Sequence, residues 1–155
     1  MDIRICIDVD DLERAIAFYT RGLGLRAGRR LGDDWVELIG GSSPIDLLAN
    51  APGTTPLGPA QPQRRDYSRH WTPVHLDFVV QGIDEVAQRL VALGAVLERP
   101  IADRRWGRMA SLADPFGHGI DLLEFKGRGY DEILLSPAEP GSDDPDQAPG
   151  EARAA

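Results

Sequence analysis

Leu12, Ala15, Ile16 and Tyr19 recur at the spacing of one helix face, and an offset of 71 positions carries all four onto Ile83, Val86, Ala87 and Leu90, which recur in the same way. Each stripe is followed by Leu-Gly-aliphatic, at Leu23-Gly24-Leu25 and again at Leu93-Gly94-Ala95. Each half then closes on the identical tetrapeptide Ile-Asp-Leu-Leu, at 45–48 and at 120–123. A chain that repeats itself in this way is constrained to fold as two copies of one supersecondary unit.

The unit can be read from either copy. Ile3, Ile5, Ile7 and Val9 alternate with Arg4, Cys6 and Asp8, the period of a strand with one buried face. The helical stripe follows behind Asp10 or Asp11 as N-cap, with Gly22 or Gly24 as its stop. Leu25–Leu31, Trp35–Ile39 and Ile45–Ala49 are short apolar-rich runs separated by Gly-rich turns, so the order is βαβββ. In the second copy Val74, Leu76, Phe78 and Val80 alternate with His75 and Asp77 ahead of the helix. The spacing predicts two modules, 1–50 and 73–125, in one domain over 1–125. The loop 50–73 carries Pro52, Pro56, Pro59 and Pro62, which neither a helix nor a central strand tolerates. Residues 126–135 form a short extension in which Ile133, Leu134 and Leu135 supply an edge element, and 136–155 read as a disordered acidic tail.

Charge narrows the partners. Of the net −8 of the 155-residue chain, the segment 136–155 supplies −4 through five acids against Arg153, which leaves the body at −4. That balance gives no footprint for nucleic acid, and the cluster Arg64, Arg65 and Arg69 reads as a solvated loop. A single cysteine, Cys6, excludes an intrachain disulfide framework, and no run approaches the roughly 18 apolar residues of a membrane span. The aspartates among the first eleven residues interrupt any secretory signal, so a cytoplasmic setting is expected.

Val9-Asp10-Asp11-Leu12-Glu13-Arg14-Ala15, Phe18-Tyr19, Leu23-Gly24-Leu25, His75-Leu76-Asp77-Phe78-Val79-Val80, Trp106-Gly107-Arg108 and Asp114-Pro115-Phe116-Gly117 fall in an order that resembles the vicinal oxygen chelate superfamily. This is the glyoxalase, bleomycin-resistance and extradiol-dioxygenase group. The resemblance implies an α+β fold in which two βαβββ modules form a cup-shaped half-barrel, and a small organic molecule or a metal held on the concave face. It also implies a homodimer, with the cup built within one chain or across two. Its members include metal-dependent lyases, isomerases and dioxygenases as well as metal-free resistance proteins, so fold follows from it more firmly than reaction.

In that superfamily ligands come from the first and last strand of each module. The repeat registers place the corresponding residues here at Arg4, Asp46, His75 and Asp121, all on the face opposite the helices. One reading gives Asp46, His75 and Asp121 to a divalent ion (Zn, Ni, Mn or Fe) acting as a Lewis acid. The other, which Arg4 favours slightly, has no metal: a guanidinium cannot bind a cation and instead pairs with the carboxylates, leaving a fork for a small-molecule ligand. Trp35, Tyr67, Trp71 and Trp106 are candidate walls of the ligand site. Glu37 is a candidate general base whose simpler reading is an exposed edge position. Cys6 shares the face of Arg4, and His118 falls in a turn between Gly117 and Gly119.

Overall fold

The computed structural model describes residues 1–60 and 62–134. The tail 136–155 and Leu135 lie outside the described residues. Two βαβββ modules follow one another: β1 Ile5–Val9, α1 Leu12–Leu23, β2 Arg26–Leu31, β3 Trp35–Ile39 and β4 Ile45–Ala49, then β5 Leu76–Val79, α2 Ile83–Ala92, β6 Val96–Arg104, β7 Gly107–Ala113 and β8 Gly119–Phe125. Each module forms a four-stranded mixed sheet, ordered β1-β4-β3-β2 and β5-β8-β7-β6. The first and last strands of each module run parallel and the others antiparallel, and neither sheet closes into a barrel.

Local chemistry sets the element ends. Asp11 is the N-cap of α1, its side chain accepting from the Arg14 N–H at 3.0 Å, and Gly24 ends the helix in the left-handed region at φ 75°. The second helix has no capping side chain of its own. Glu124 on β8 reaches across instead and accepts from the N–H groups of Gly82 and Ile83. Pro100 sits at an irregularity of the edge strand β6, where a missing donor costs no central ladder bond.

The two helices predicted from the repeat pack against each other. Gly22 of α1 lies against Leu90 and Leu93, and both helices contribute to one core with Val9, Leu38, Leu47, Leu112, Phe116, Ile120 and Leu122. Tyr19 of α1 donates its buried hydroxyl to Asp114 Oδ2 at 2.7 Å, and His118 Nε2 lies 2.8 Å from the Asp8 carbonyl, so polar bonds also cross between the modules. The turn expected at His118 is present: Asp114 Oδ1 accepts from the N–H groups of Phe116 and His118.

Two expectations change. The extension beyond Phe125 forms a one-turn helix, α3 Asp131–Leu134, in place of an edge strand; the Glu132 carboxylate accepts from the Arg128 N–H and fixes the turn that starts it. The linker arginines are not a solvated run. Arg65 pairs with Asp8 at 2.7 Å, and Arg69 pairs with Glu98 while lying over Trp71, so both fasten the linker to the modules.

Candidate functional site

With the helices covering one face of each sheet, alternation leaves the opposite faces to polar side chains. On the first sheet the register sets Cys6, Asp46 and Glu37 in one row across β1, β4 and β3. On the second it sets Asp77, Asp121 and Ser111 in the equivalent row across β5, β8 and β7. Arg4 and His75 stand immediately before β1 and β5.

In the first row Arg4 takes both carboxylates. Its Nε donates to Asp46 Oδ2 at 3.0 Å, and its Nη2 donates to Asp46 Oδ1 at 2.6 Å and to Glu37 Oε1 at 2.8 Å. A bulge in β2 between Ala27 and Arg30 turns Arg29 onto the other side of Glu37, with Nε–Oε2 at 2.9 Å and Nη2–Oε1 at 2.5 Å. Glu37 is therefore not the exposed edge residue its sequence position suggested. It lies buried on an inner strand between two guanidiniums, and the hydrogen bonds from Arg29 and then Arg4 hold its carboxyl down at about 2. An acid so depressed retains too little proton affinity to act as a general base near neutral pH. Arg4 is raised in turn, chiefly by Asp46 and then by Glu37.

The second row has a different balance. His75 Nε2 stands 3.3 Å from Asp77 Oδ1 and 3.5 Å from Asp121 Oδ2. Asp121 is buried and its Oδ1 has no hydrogen-bond partner, the one such buried side-chain atom among the described residues. Burial raises Asp77, and the neighbouring Asp121 adds to the rise against the opposing effect of His75. Among the described residues no hydrogen bond or ion pair joins this group to the Arg4 group. Asp46, grouped with His75 and Asp121 as a metal ligand from the sequence, is held by Arg4, and Asp77 stands beside His75 and Asp121. Sequence reasoning placed His75 and Asp77 on one face but passed over Asp77 as a donor; the His-x-Asp spacing at the start of a strand was the available signal.

At the seam of the modules a pocket of about 200 Å³ is lined by β1 (Ile5, Cys6, Ile7), by His75 and Leu76, and by the linker and the start of β8. The four candidate wall aromatics do not line it together. Trp71 abuts it, its ring edge-on to His75 at 5.6 Å, packed over Gly119 and tied through Nε1 to Glu98 Oε2 at 3.1 Å. Tyr67 donates its hydroxyl to the Asn50 carbonyl within the linker junction. Trp106 is buried in a cluster with Phe125 and Tyr130, and Trp35 is half-buried at the start of β3.

Two mixed four-stranded βαβββ sheets with polar rows on their helix-free faces define a protein of the vicinal oxygen chelate fold. The sequence profile of the family described as "Glyoxalase-like domain" matches residues 4–123, and the chain belongs to that family. It is 32% identical to the anthracycline biosynthesis protein DnrV of Streptomyces peucetius over 78% of this chain and 40% of that protein. It is 31% identical to DauV, an anthracycline biosynthesis protein of Streptomyces sp. strain C5, over 76% of this chain and 38% of that one. The chain thus spans about two fifths of the relatives it matches. Among solved structures, a point mutant of the fosfomycin resistance protein FosX of Listeria monocytogenes, in complex with Mn(II) and 1S,2S-dihydroxypropylphosphonic acid, superposes with a TM-score of 0.62 at 20% identity, covering 84% of this chain and 92% of that one. That likeness is one of fold.

A divalent ion drawing two donors from each module does not fit the residues present. The first-strand place in module one holds a guanidinium, and Asp46 and Glu37 already serve as its acceptors.

Proposed function

We propose that this domain binds a small, largely planar aromatic molecule at the seam and over the polar sheet faces, and that it does so without the four-donor metal centre of its metalloenzyme relatives. The observation that carries this reading is the fork of Arg4 on Asp46 and Glu37. A fixed positive charge with its own carboxylates takes the place of the ion, and its Nη1, without a hydrogen bond among the described residues, is a donor for a carbonyl or phenolate oxygen. The similarity to two anthracycline biosynthesis proteins supports a polycyclic aromatic ligand. A pocket of about 200 Å³ holds only part of such a molecule. The remainder lies over the open faces, and a second copy of the chain, paired as a homodimer, encloses it.

The test is binding of an anthracycline aglycone followed by tryptophan fluorescence, Trp71 being the reporter beside the pocket. Protein stripped with a chelator binds as tightly as untreated protein on this reading, and Arg4→Ala weakens binding at least tenfold. Loss of binding on chelation, with recovery on adding Zn²⁺ or Mn²⁺, would return the domain to the metal-dependent lyase, isomerase or dioxygenase reading.

A further inference from the structure

We infer that the seam pocket is a proton-accepting site for aromatic hydroxyl groups, with His70 and His118 as the acceptors. The inference rests on the aromatic-ligand reading and names the chemistry of the ligand's buried end. All three histidines of the chain, His70, His75 and His118, stand in the pocket wall beside apolar side chains such as Ile5, Val74 and Leu76. Among the described residues no Asp, Glu, Lys or Arg lines it. Such a wall suits a neutral hydroxyl donor and leaves a carboxylate or an ammonium without a counter-charge.

The fold brings His70 and His118 together through a close approach of the linker to the turn between β7 and β8. The His70 N–H donates to the Gly117 carbonyl at 3.3 Å. The glycines on either side of His118 are what admit the linker. A Cβ on Gly117 would stand 2.5 Å from the Ser68 carbonyl oxygen, and one on Gly119 would strike the Trp71 ring. Gly117 also lies in the left-handed region, at φ 87°. The Arg69–Glu98 pair holds the same stretch of linker in place. One histidine from the turn and one from the linker are thereby set on a single pocket of about 200 Å³.

A backbone carbonyl fixes each of these two imidazoles. His70 Nδ1 lies 2.8 Å from the Ser68 carbonyl oxygen, and His118 Nε2 lies 2.8 Å from that of Asp8. A carbonyl only accepts, so the ring proton sits on the nitrogen facing it, and in the neutral ring the other nitrogen carries a lone pair. Those nitrogens, His70 Nε2 and His118 Nδ1, have no hydrogen bond among the described residues. A phenol donating to one of them can pass its proton across: the O–H bond breaks, an N–H bond forms, and the electron pair stays on the phenolate oxygen. The imidazolium that results keeps its carbonyl bond, which is stronger from a charged donor. His75 differs, because its Nε2 faces Asp77 and Asp121.

The full chain is titrated near neutral pH with 2,6-dihydroxyanthraquinone and with its dimethyl ether, which has the same rings and no hydroxyl proton. Trp71 fluorescence reads affinity, and visible absorption reads ionisation, since the phenolate absorbs at longer wavelength. The dihydroxy compound is expected to bind about tenfold tighter than the ether and to show the phenolate band when bound. His118→Gln keeps a donor for the Asp8 carbonyl and His70→Asn keeps one for the Ser68 carbonyl, while each removes a basic nitrogen. Either substitution should bring the preference to within about twofold and abolish the band, with the circular dichroism spectrum unchanged as the control on folding. Equal affinity of the wild type for the two compounds would overturn the inference and leave the aromatic-ligand reading standing. Failure of both compounds to bind would overturn the two together. A preference or a phenolate band that survives either substitution would also overturn the assignment to this pair.

Discussion

Glu37 shows how two neighbouring cations change what a carboxylate can do. Its place on an alternating strand is compatible with a base in a cup and, more simply, with a solvated edge. The bulge that delivers Arg29 and the arginine ahead of β1 decide the matter, because together they stabilise only the ionised form. A consequence for pH follows. The folded-state value is lowered from 4.5 to about 2, so the stabilisation is present above pH 4.5 and is lost as pH falls toward 2. Urea midpoints measured between pH 5 and pH 2.5 should therefore fall more steeply for the wild type than for Glu37→Gln. Parallel slopes would mean that the arginines do not hold this carboxylate in solution.

The helices bind the modules into one body. Leu90 of α2 is fully buried, and Gly22 of α1 packs directly on it, which explains why a glycine is accommodated in the last turn of a helix: an added Cβ would strike the Leu90 side chain. Truncating Leu90 to Ala removes the buried contact and opens a void between the helices. A loss of about 2–5 kcal/mol is expected, at the scale of buried leucine truncations. Because residues of both modules share one core, that loss should lower a single cooperative transition in calorimetry. A profile that splits in two, with only one half shifted, would show that the modules fold separately.

For the whole molecule, the fold was legible because the repeat, the stripes and the strand alternation all pointed one way. Leu12, Ala15, Ile16 and Tyr19 and their repeat counterparts Ile83, Val86, Ala87 and Leu90 all lie in or against the one core. The site was legible only as faces. Alternation assigns Arg4, Asp46, His75 and Asp121 to helix-free surfaces, but which of them touch depends on side-chain reach. Arg4 is long enough to span two acceptors on different strands, whereas His75 and Asp121 are short and meet the nearest donor, Asp77. The aromatics were the least legible, since Trp71 and Tyr67 belong to a linker whose path follows from the Arg65–Asp8 and Arg69–Glu98 pairs rather than from any periodicity.

On the proposed reading Arg4 takes the place of a module-bridging metal. A crystal soaked in Mn²⁺, with anomalous data collected about the manganese absorption edge, tests it most directly. The expected map shows Arg4 on Asp46 and Glu37 and no anomalous peak shared between the two modules. A peak coordinated jointly by Asp46, His75 and Asp121, with the Arg4 side chain swung away, would contradict the claim.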